Sequence, residues 1–599
     1  MLKVERVLRK GWKRYPFLQK KRFSGQPDAF CCVLVLITKC QKTKSGSPNM
    51  ENNFVVLGID KNAMGKFLLF FFMLAGFYGH SQEDAWVYFN AKANAQTYLD
   101  NPLTMLSQRA LDRRTNQNIP LDFKDVPINQ VCVDAVDAAE DIVVKAKSKW
   151  LNAVHVRGTV DAINLLAALS FVDHVDFADN SLDVSGKNTV HKQPHPVNKT
   201  METLVDFPYG NSANQIQMLN GHLLHQQNYT GSGKIIAVLD AGFPEVDVVQ
   251  PFARLRDNNQ ILGGYNFVDR NDDYYSRYSH GTMVLSTMGG YTENQLVGTA
   301  PDASYYLFIT EDIDSENPVE ESLWVEAAET ADSLGVDVIN SSLGYFEYDN
   351  PAYSYTYADM NGTTAFASRG ADIAFSRGMV VVVSAGNSGA TANPHIGVPG
   401  DAINALTVGA VKADESYASF SSIGPSADGR VKPDVMAQGQ SAVLSDTFGD
   451  ITTNSGTSFS GPIMAGMVAS FWQAVPTLTN VQVVQFIKQS ADLFANPTTQ
   501  KGYGIPDFQL ALTAALLSVS QNTSTNFVLW PNPVQDKLFI AGLSEAAEMR
   551  LYNSLGQCIS VQQIAIGDNT AHFGNLESGV YFYKIVSGNK TQSGKLIKS

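Results

Sequence analysis

Residues 456–466 read GTSFSGPIMAG, and they predict the start of a long apolar helix with Ser458 in its first turn. Pro462 is tolerated near a helix start, where backbone N–H groups have no intrahelical partner. Ala465 and Gly466 are small enough to let this helix pack closely against a sheet. The helix dipole and the free N–H groups favour negative charge beside the serine hydroxyl. Ser458 is therefore the candidate nucleophile, and it needs a base, an orienting group and oxyanion donors.

The composition is that of a globular protein. The chain has 599 residues, of which 44% are apolar and 17% charged, and a prior of about 150 residues per domain predicts roughly three or four domains. The formal net charge of -14 argues against nucleic acid as a partner. Residues 200–521 contain no cysteine, which excludes a disulfide framework and a cysteine-ligated metal from this region.

The N-terminal region contains a short apolar run, FLLFFFMLAGFYG at residues 67–79. The run is shorter than the roughly 20 residues that span a bilayer, so it predicts a secretory signal peptide at residues 64–82. Met64 lies where a start would be expected, and we expect residues 1–63 to be an over-extended N-terminus. In the alternative, Met1 is the true start and the basic and apolar stretches after it direct the chain to a membrane. Both interpretations predict export.

Residues 83–180 alternate between apolar strands and helical segments, which predicts a small α+β domain. The predicted order is strand 86–89, helix 103–114, strands 128–133 and 142–146, helix 160–169 and strand 172–177. Residues 181–206 are polar, contain prolines and lack periodicity, which predicts an exposed linker. A small domain joined in this way is typical of a cleavable prodomain. The alternative is a permanent accessory domain.

Residues 207–517 alternate between apolar strands and helical segments, which predicts an α/β domain with a parallel sheet covered by helices. The predicted strands are 234–239, 305–309, 336–340, 379–384 and 406–409. Functional residues gather at the carboxyl ends of such strands. Asp240 follows the first of these strands, and Asn387 follows the fourth within the sequence SAGNSG.

His280, in SHGTMVL, is the candidate base. Gly281 leaves room for close approach, and the apolar residues after it suit a buried helix. The other histidines of this region are His222, His225 and His395. The first two lie on a polar helical stretch, which indicates the surface, and His395 lies in a loop that could line a cleft.

The chain order Asp240, His280, Ser458 excludes the nucleophile-elbow hydrolases, whose order is serine, acid, histidine. After Ser458 the only histidine is His572, in the tail. The GxSxG signature of those enzymes also fails, because Ser460 occupies the place of the second glycine. Taken singly, each candidate has a structural explanation: an aspartate often caps a helix and a Gly-Asn-Ser-Gly run is often a turn.

Taken together, three blocks resemble the subtilisin-like serine proteases, the subtilases: VLDAG at 238–242, HGTMV at 280–284 and GTSFSGP at 456–462. Their order is also the order of subtilisin. SAGN at 384–387 is similar to the oxyanion asparagine block of that family, and GTAP at 298–301 and SSLG at 341–344 fit its internal landmarks. Ala241 departs from the commoner threonine, but the side chain after the aspartate is not the catalytic group.

The resemblance implies a secreted serine endopeptidase that hydrolyses peptide bonds of proteins through an acyl-enzyme intermediate. Ser458 would attack, His280 would transfer the proton and Asp240 would orient the imidazole. Asn387, with the backbone N–H of Ser458, would hold the oxyanion. The backbone of the substrate would pair with Ser341, Ser342, Leu343 and Gly344.

The resemblance also implies partners, cofactors and processing. The substrates would be proteins or peptides, the protein would be a monomer and catalysis would need no cofactor. Structural calcium is common in the family, although the sequence shows no clear ligand loop. The first domain would be a propeptide released by self-cleavage within residues 181–208, and residues 345–364 would form an insertion near the cleft. A catalytically inactive adhesin or binding module with the same fold is the alternative, and an esterase is a third reading.

The tail changes character after a Ser/Thr/Asn linker at residues 518–526. Residues 527–599 contain short alternating strands separated by Asn/Gly turns, which predicts a small β-sandwich. The expected strands are 537–540, 549–552 and 579–586. The sequences WPNP at 530–533, LYNSLG at 551–556 and LESGVYF at 576–582 resemble the type IX secretion sorting domain of Bacteroidetes. This resemblance implies the type IX secretion machinery as a partner and a secreted or cell-surface location; a carbohydrate-binding β-module is the alternative.

Overall fold

The structure is a computed structural model, and it describes residues 82–182, 207–522 and 527–599, apart from gaps at 542, 544, 554–556, 568 and 589. The predicted over-extended N-terminus, the signal peptide up to residue 81 and the linker from residue 183 lie outside the described residues. Among the helices of the described ranges, none combines the length and apolar character needed to cross a membrane.

The first domain contains an antiparallel four-stranded sheet with the order β2-β3-β1-β4. Its strands are β1 (Gln82–Phe89), β2 (Ile142–Ser148), β3 (Ala153–Thr159) and β4 (Val172–Phe177). Its helices are α1 (Ala95–Asp100), α2 (Gln108–Asn116), α3 (Gln130–Asp137) and α4 (Val160–Leu166). The predicted α+β class is confirmed.

The first domain differs from the prediction in four places: helix α1 was not predicted, helix α2 begins at Gln108 rather than at residue 103, and two strands differ. The strand predicted at residues 128–133 is wrong, because Asn129 caps helix α3 there by accepting a hydrogen bond from the Val131 N–H. Strand β3 was not predicted, since His155 and Arg157 interrupt its apolar pattern. Both side chains bond to the carboxylate of Asp84 on the neighbouring strand β1, so their polar atoms are satisfied inside the sheet.

The middle domain is built on a seven-stranded sheet with the order β13-β12-β11-β10-β5-β9-β6, in which all pairs are parallel. The strands are β5 (Ile235–Asp240), β6 (Ile261–Asn266), β9 (Ser304–Ile309), β10 (Val338–Ser341), β11 (Val380–Ser384), β12 (Leu406–Val411) and β13 (Val435–Gln438). The five predicted strands are confirmed. The two edge strands were not predicted, because β6 contains two glycines and β13 has only four residues.

Helices and two short hairpins complete the middle domain. The helices are α5 (Ala213–Gln217), α6 (Gly221–His225), α7 (Ala253–Asp257), α8 (His280–Gly289), α9 (Val319–Leu334), α10 (Phe366–Ser376), α11 (Thr457–Ala474), α12 (Asn480–Gln489) and α13 (Phe508–Asn522). The antiparallel pairs are β7 (Tyr291–Thr292) with β8 (Leu296–Val297) and β14 (Ala442–Ser445) with β15 (Ile451–Asn454).

The sheet buries both of its faces. Val238 and Val382 pack with helices α8 and α11 on one face, whereas Leu239 and Val383 pack with α9 and α10 on the other. Full burial of each such side chain stabilises the fold by about 1.5–3 kcal/mol. Helix α11 lies very close to residues 298–301 at Gly466. A Cβ atom at this position would lie only 2.0 Å from Thr299 Oγ1, so the absence of a side chain is what permits the contact. The sheet and α11 therefore form a rigid base for the loops at the strand ends.

The tail contains two antiparallel sheets, β16-β17-β20 and β19-β18-β21-β22. Their strands are β16 (Val528–Trp530), β17 (Lys537–Ala541), β18 (Ala547–Tyr552), β19 (Cys558–Ile564), β20 (Thr570–His572), β21 (Gly579–Ser587) and β22 (Lys590–Lys598). Leu538 of one sheet and Met549 and Ile585 of the other belong to one buried core. This arrangement is the predicted β-sandwich.

Candidate active site

Asp240 is the last residue of β5, and its side chain is fully buried. Its Oδ1 atom accepts a hydrogen bond from the Ala241 N–H at 2.8 Å and lies 2.8 Å from His280 Nδ1. Within the described part of the chain, its Oδ2 atom has no hydrogen-bond partner. The imidazole is therefore the main side-chain partner of this buried carboxylate.

His280 is the first residue of helix α8. The first turn of the helix packs against the loop after Asp240. A Cβ atom at Gly281 would lie 2.4 Å from the Gly242 carbonyl oxygen, so glycine is needed for this contact. Burial alone would lower the pKa of His280, but the charge and hydrogen bond of Asp240, together with the charge of Glu311, raise it. The His280 side chain remains 23% exposed, so it can reach a bound ligand.

Ser458 is the second residue of helix α11, and its neighbour Phe459 faces His280 with a ring-centroid distance of 6.0 Å. The Ser458 hydroxyl donates to the Ser342 carbonyl over a long 3.4 Å. In return, the Ser342 hydroxyl donates to the Ser458 carbonyl at 3.0 Å. That carbonyl is available because Pro462, four residues later, has no N–H to bond it. The described structure has no hydrogen bond between Ser458 and His280, a contact that often tightens only when substrate is bound.

Asn387 lies beyond the end of β11 and is oriented by the residue before Ser458. Its Oδ1 atom accepts hydrogen bonds from the Thr457 N–H at 2.9 Å and from the Thr457 hydroxyl at 3.1 Å. The amide NH₂ group therefore remains available for a ligand near the start of α11, where the first N–H groups have no intrahelical partner. The bonds from Thr457 to Asn387 were not predicted, although the position of Thr457 directly before the candidate nucleophile was a signal for them.

A cavity of about 180 Å³ opens beside Ser458, between residues 342–346 and residues 384–388. Ser342, Leu343 and Gly344, which are expected from the sequence to contact substrate, line it. Ser341 does not, because its hydroxyl accepts a hydrogen bond from Trp324 Nε1 at 2.9 Å, away from the cavity. His395 also lines the cavity, as its loop position indicated.

The predicted surface position of His225 is wrong. The side chain is buried, with Nδ1 2.9 Å from the Tyr209 hydroxyl and Nε2 3.0 Å from the Thr299 carbonyl. Burial lowers the pKa of His225 to about 4. His225 is therefore a neutral structural side chain, and the polar pattern of helix α6 did not reveal its burial.

The residues present do not fit a carboxylate-based calcium site. Ca²⁺ takes about six to eight oxygen ligands, with carboxylates prominent among them. Across the described ranges, no group of three or more His, Cys, Asp or Glu side chains is arranged to hold a metal ion. We therefore assign no calcium site among these described residues.

Three family models match different parts of the chain. The model described as the subtilase family matches residues 231–508. The model for the peptidase S8 propeptide domain of Bacteroidota matches residues 84–195. The model for a secretion system C-terminal sorting domain matches residues 528–599. The three matches follow the order of the predicted prodomain, peptidase and sorting domain.

The chain is also similar to curated bacterial proteases. Subtilisin NAT of Bacillus subtilis subsp. natto is 33% identical over 310 residues, which cover 51% of this chain and 71% of that protein. Subtilisin E of Bacillus subtilis (strain 168) gives the same identity and coverage. Subtilisin of Bacillus pumilus is 32% identical, over 51% of this chain and 98% of that protein.

Proposed function

The chain belongs to the subtilase family of serine endopeptidases, and we propose that it cleaves exported or extracellular proteins with the triad Asp240, His280 and Ser458. The observation that carries this proposal is the 2.8 Å contact between Asp240 Oδ1 and His280 Nδ1 at the edge of the sheet where α11 begins. The sorting domain indicates that the protein is exported to the cell surface or beyond. The substrates that we propose are therefore proteins or peptides met outside the cytoplasm.

In the proposed mechanism, Ser458 Oγ attacks the carbonyl carbon of the scissile bond while His280 Nε2 takes its proton. The carbonyl electron pair moves onto the oxygen, and when it returns the C–N bond breaks and the amine leaves with the proton from His280. Water then attacks the acyl carbon while His280 takes its proton. The bond from that carbon to Ser458 Oγ breaks, and His280 returns the proton to Ser458 as the acid product leaves. The buried Asp240 carboxylate stabilises the imidazolium, which agrees with the raised pKa of His280.

Asn387 and the Ser458 N–H are the proposed donors to the oxyanion. Preorganised donors of this kind act on charge that develops only in the transition state. The two bonds from Thr457 to Asn387 Oδ1 support this role, because they fix the amide before substrate arrives. The substrate would lie along Ser342 and Gly344 as an added extended strand.

We further propose that the first domain is a propeptide, cut from the middle domain by the enzyme's own activity within residues 181–208. The match of residues 84–195 to a propeptide family supports the first part of this proposal. The sorting domain would be the segment that the type IX secretion machinery recognises, and the predicted signal peptide would direct the chain to the first membrane.

A fluorophosphonate probe tests the proposed nucleophile. We expect the probe to label the wild-type protein at Ser458 and to leave Ser458→Ala unlabelled. Ser470→Ala is the matched control, because Ser470 is a buried serine of the same helix that bonds to the Thr299 carbonyl. Purified Ser458→Ala protein should also keep its first domain covalently attached. Equal labelling of wild type and Ser458→Ala would place the reactive serine elsewhere, and an unlabelled wild type would favour a binding module.

A further inference from the structure

Residues 101–126 of the first domain contact the middle domain, as do Trp86, Ser148 and His155 of its sheet. We call this segment, which includes helix α2, the anchoring arm. It lies at the edge of the large sheet where strands β5, β10 and β11 begin, and it meets residues that stand one or two positions before those strands. Gly233 precedes β5, Asp337 precedes β10 and Gly378 precedes β11.

The arm is bonded directly to the backbone at this edge. The Ser107 N–H donates to the Ser333 carbonyl at 2.9 Å. Arg109 donates to the carbonyls of Gly335 and Gly233, each at 2.9 Å. Gln117 donates from Nε2 to the Gly378 carbonyl at 2.8 Å, and its Oε1 accepts from the Asn480 N–H at 2.9 Å. Carbonyls that would otherwise face water at the strand starts are thus satisfied by the arm.

A buried charge network reinforces these bonds. Asp332, at the end of helix α9, is fully buried and pairs with both Arg113 and Arg114 of the arm. Arg114 also pairs with Asp125 of the arm at 2.9 Å. From the other side, Arg377 of the middle domain pairs with Asp122 of the arm at 2.8 Å. Removing one partner of a buried pair is strongly destabilising, because the remaining charge is left without compensation.

The arm does not occupy the catalytic cleft. Strand β5 runs from Ile235, beside the arm, to Asp240, beside His280. At about 3.3 Å per residue, the two sites lie at opposite ends of a strand roughly 17 Å long. A substrate can therefore enter the cleft without displacing the arm. Nothing in the geometry of the arm makes it an inhibitor, whereas its bonds make it a structural element.

We propose that the anchoring arm remains bound after the linker is cut and is a structural part of the active enzyme. The acidic and carbonyl-rich edge formed by Ser333, Gly335 and Asp332 would be a permanent binding surface for this arginine-rich helix. The inference rests on the proposed function only in that some protease cuts the linker. It differs from simple propeptide inhibition, in which the whole first domain leaves to give the active form.

The first experiment separates this inference from the catalytic assignment. Full-length Ser458→Ala protein receives a recognition sequence for a site-specific protease within residues 183–206 and is cut by that protease. Native mass spectrometry and gel filtration then measure whether the two pieces stay together. We expect a 1:1 complex for the otherwise native sequence, and dissociation roughly 100-fold faster for the double variant Arg113→Gln, Arg114→Gln.

Two further variants keep the test decisive. If the double variant does not fold, Gln117→Ala loses two hydrogen bonds and should dissociate roughly tenfold faster. Gln108→Ala is the matched control, because this exposed side chain of the same helix bonds only to Asp112 within the arm. Separate elution of the two native pieces, or equal retention by the arm variants and the control, would overturn the proposal.

The second experiment examines the active enzyme. Wild-type protein that has processed itself is captured with a fluorophosphonate probe, and its peptides are mapped by mass spectrometry. We expect peptides from residues 101–126 in equal amount to those of the middle domain. Their absence from active, labelled enzyme would overturn the proposal. Failure of the wild type to react with the probe would count against the proposed function alone, since the cut Ser458→Ala complex tests the arm independently.

Discussion

At the carboxyl edge of the large sheet, Asp240 Oδ2 has no partner among the described residues and Ser458 Oγ makes only one long bond of 3.4 Å. At the amino edge, Asp332 is equally buried but is bonded to both Arg113 and Arg114. The same strands thus connect an edge where Asp240 and Ser458 are weakly bonded to an edge where Asp332 accepts from two arginines, although Nε and Nη1 of Arg114 have no partner among the described residues. A buried polar group without a partner costs about 1–3 kcal/mol, so the first edge reduces stability while the second supports it.

This contrast separates activity from stability along one set of strands. Substitutions at the carboxyl edge should change turnover and leave the unfolding midpoint almost unchanged. Substitutions at the amino edge should do the opposite.

Ser458→Ala should have the largest effect. We expect kcat to fall by a factor on the order of 10⁶, a magnitude known for subtilisin rather than one obtained from this chain. The unfolding midpoint should stay close to that of the wild type, because the lost hydroxyl makes only a 3.4 Å hydrogen bond. Peptide hydrolysis and calorimetry measure the two quantities. A comparable loss of turnover in Ser470→Ala would show that the effect comes from damage to helix α11 instead.

Asp240→Asn should have the next largest effect and should also change the pH profile. Asp240 raises the pKa of His280 above its ordinary 6.5, and the imidazole must be neutral to act as a base. In the wild type, kcat/KM should therefore rise with pH through a value above 6.5. Without the carboxylate charge, burial should lower the His280 pKa and shift this rise to lower pH.

The maximum activity of Asp240→Asn should fall by a factor on the order of 10⁴, as in other serine proteases. Profiles of kcat/KM between pH 5 and pH 9 give both the shift of the rise and the fall in maximum activity. A rise that stays at the wild-type pH would show that Asp240 does not set the charge state of His280.

Asp332→Asn should have the largest effect on stability. The substitution removes the charge that compensates Arg113 and Arg114, and breaking such a buried pair costs about 3–5 kcal/mol. We expect a lower unfolding midpoint with kcat per active site, counted by probe titration, unchanged. A wild-type midpoint would mean that the arm contributes nothing to the fold, and the contrast between the two edges would fail.

The two edges also differ in how far the sequence predicted them. Asp240, His280 and Ser458 each lie within a short motif, so the residues directly around them are enough to mark them as candidates. The pair Arg113 and Asp332 is separated by 219 positions, and neither residue lies in a motif. A pairing of this kind depends on how the two domains pack, and no local pattern records it.

The remaining errors have two origins, one local and one tertiary. The helix at Asn129 follows from a capping bond that competes with a strand pattern of similar apolar content. His225 was placed at the surface from its polar neighbours, but Tyr209 and Thr299 bury it from distant parts of the chain. Local periodicity therefore predicted most strands of the sheet, whereas tertiary contacts decided the polar residues.

Asn387→Ala should reduce kcat by a factor of about 10²–10³, a magnitude known from the corresponding change in subtilisin. KM should change little, because the lost donor acts mainly on the transition state. Asn393→Ala is the matched control, since Asn393 lines the same cavity but lies on its exposed rim. Steady-state kinetics on one peptide substrate compares the two variants. A larger rise in KM than fall in kcat would assign Asn387 to substrate binding instead.

Asp302→Asn should have the smallest effect, and it asks whether burial or the ion pair itself makes the amino edge stable. Asp302 lies just before β9 at this same edge and pairs with Arg254, but the two side chains are 27% and 33% exposed. Pairs that water reaches contribute about 0.2–1 kcal/mol, so the unfolding midpoint should fall far less than in Asp332→Asn. Raising the salt concentration should reduce the difference from the wild type further, because exposed charges are screened. If the two aspartates prove equally important, the ion pairs themselves, and not their burial under the arm, stabilise this edge.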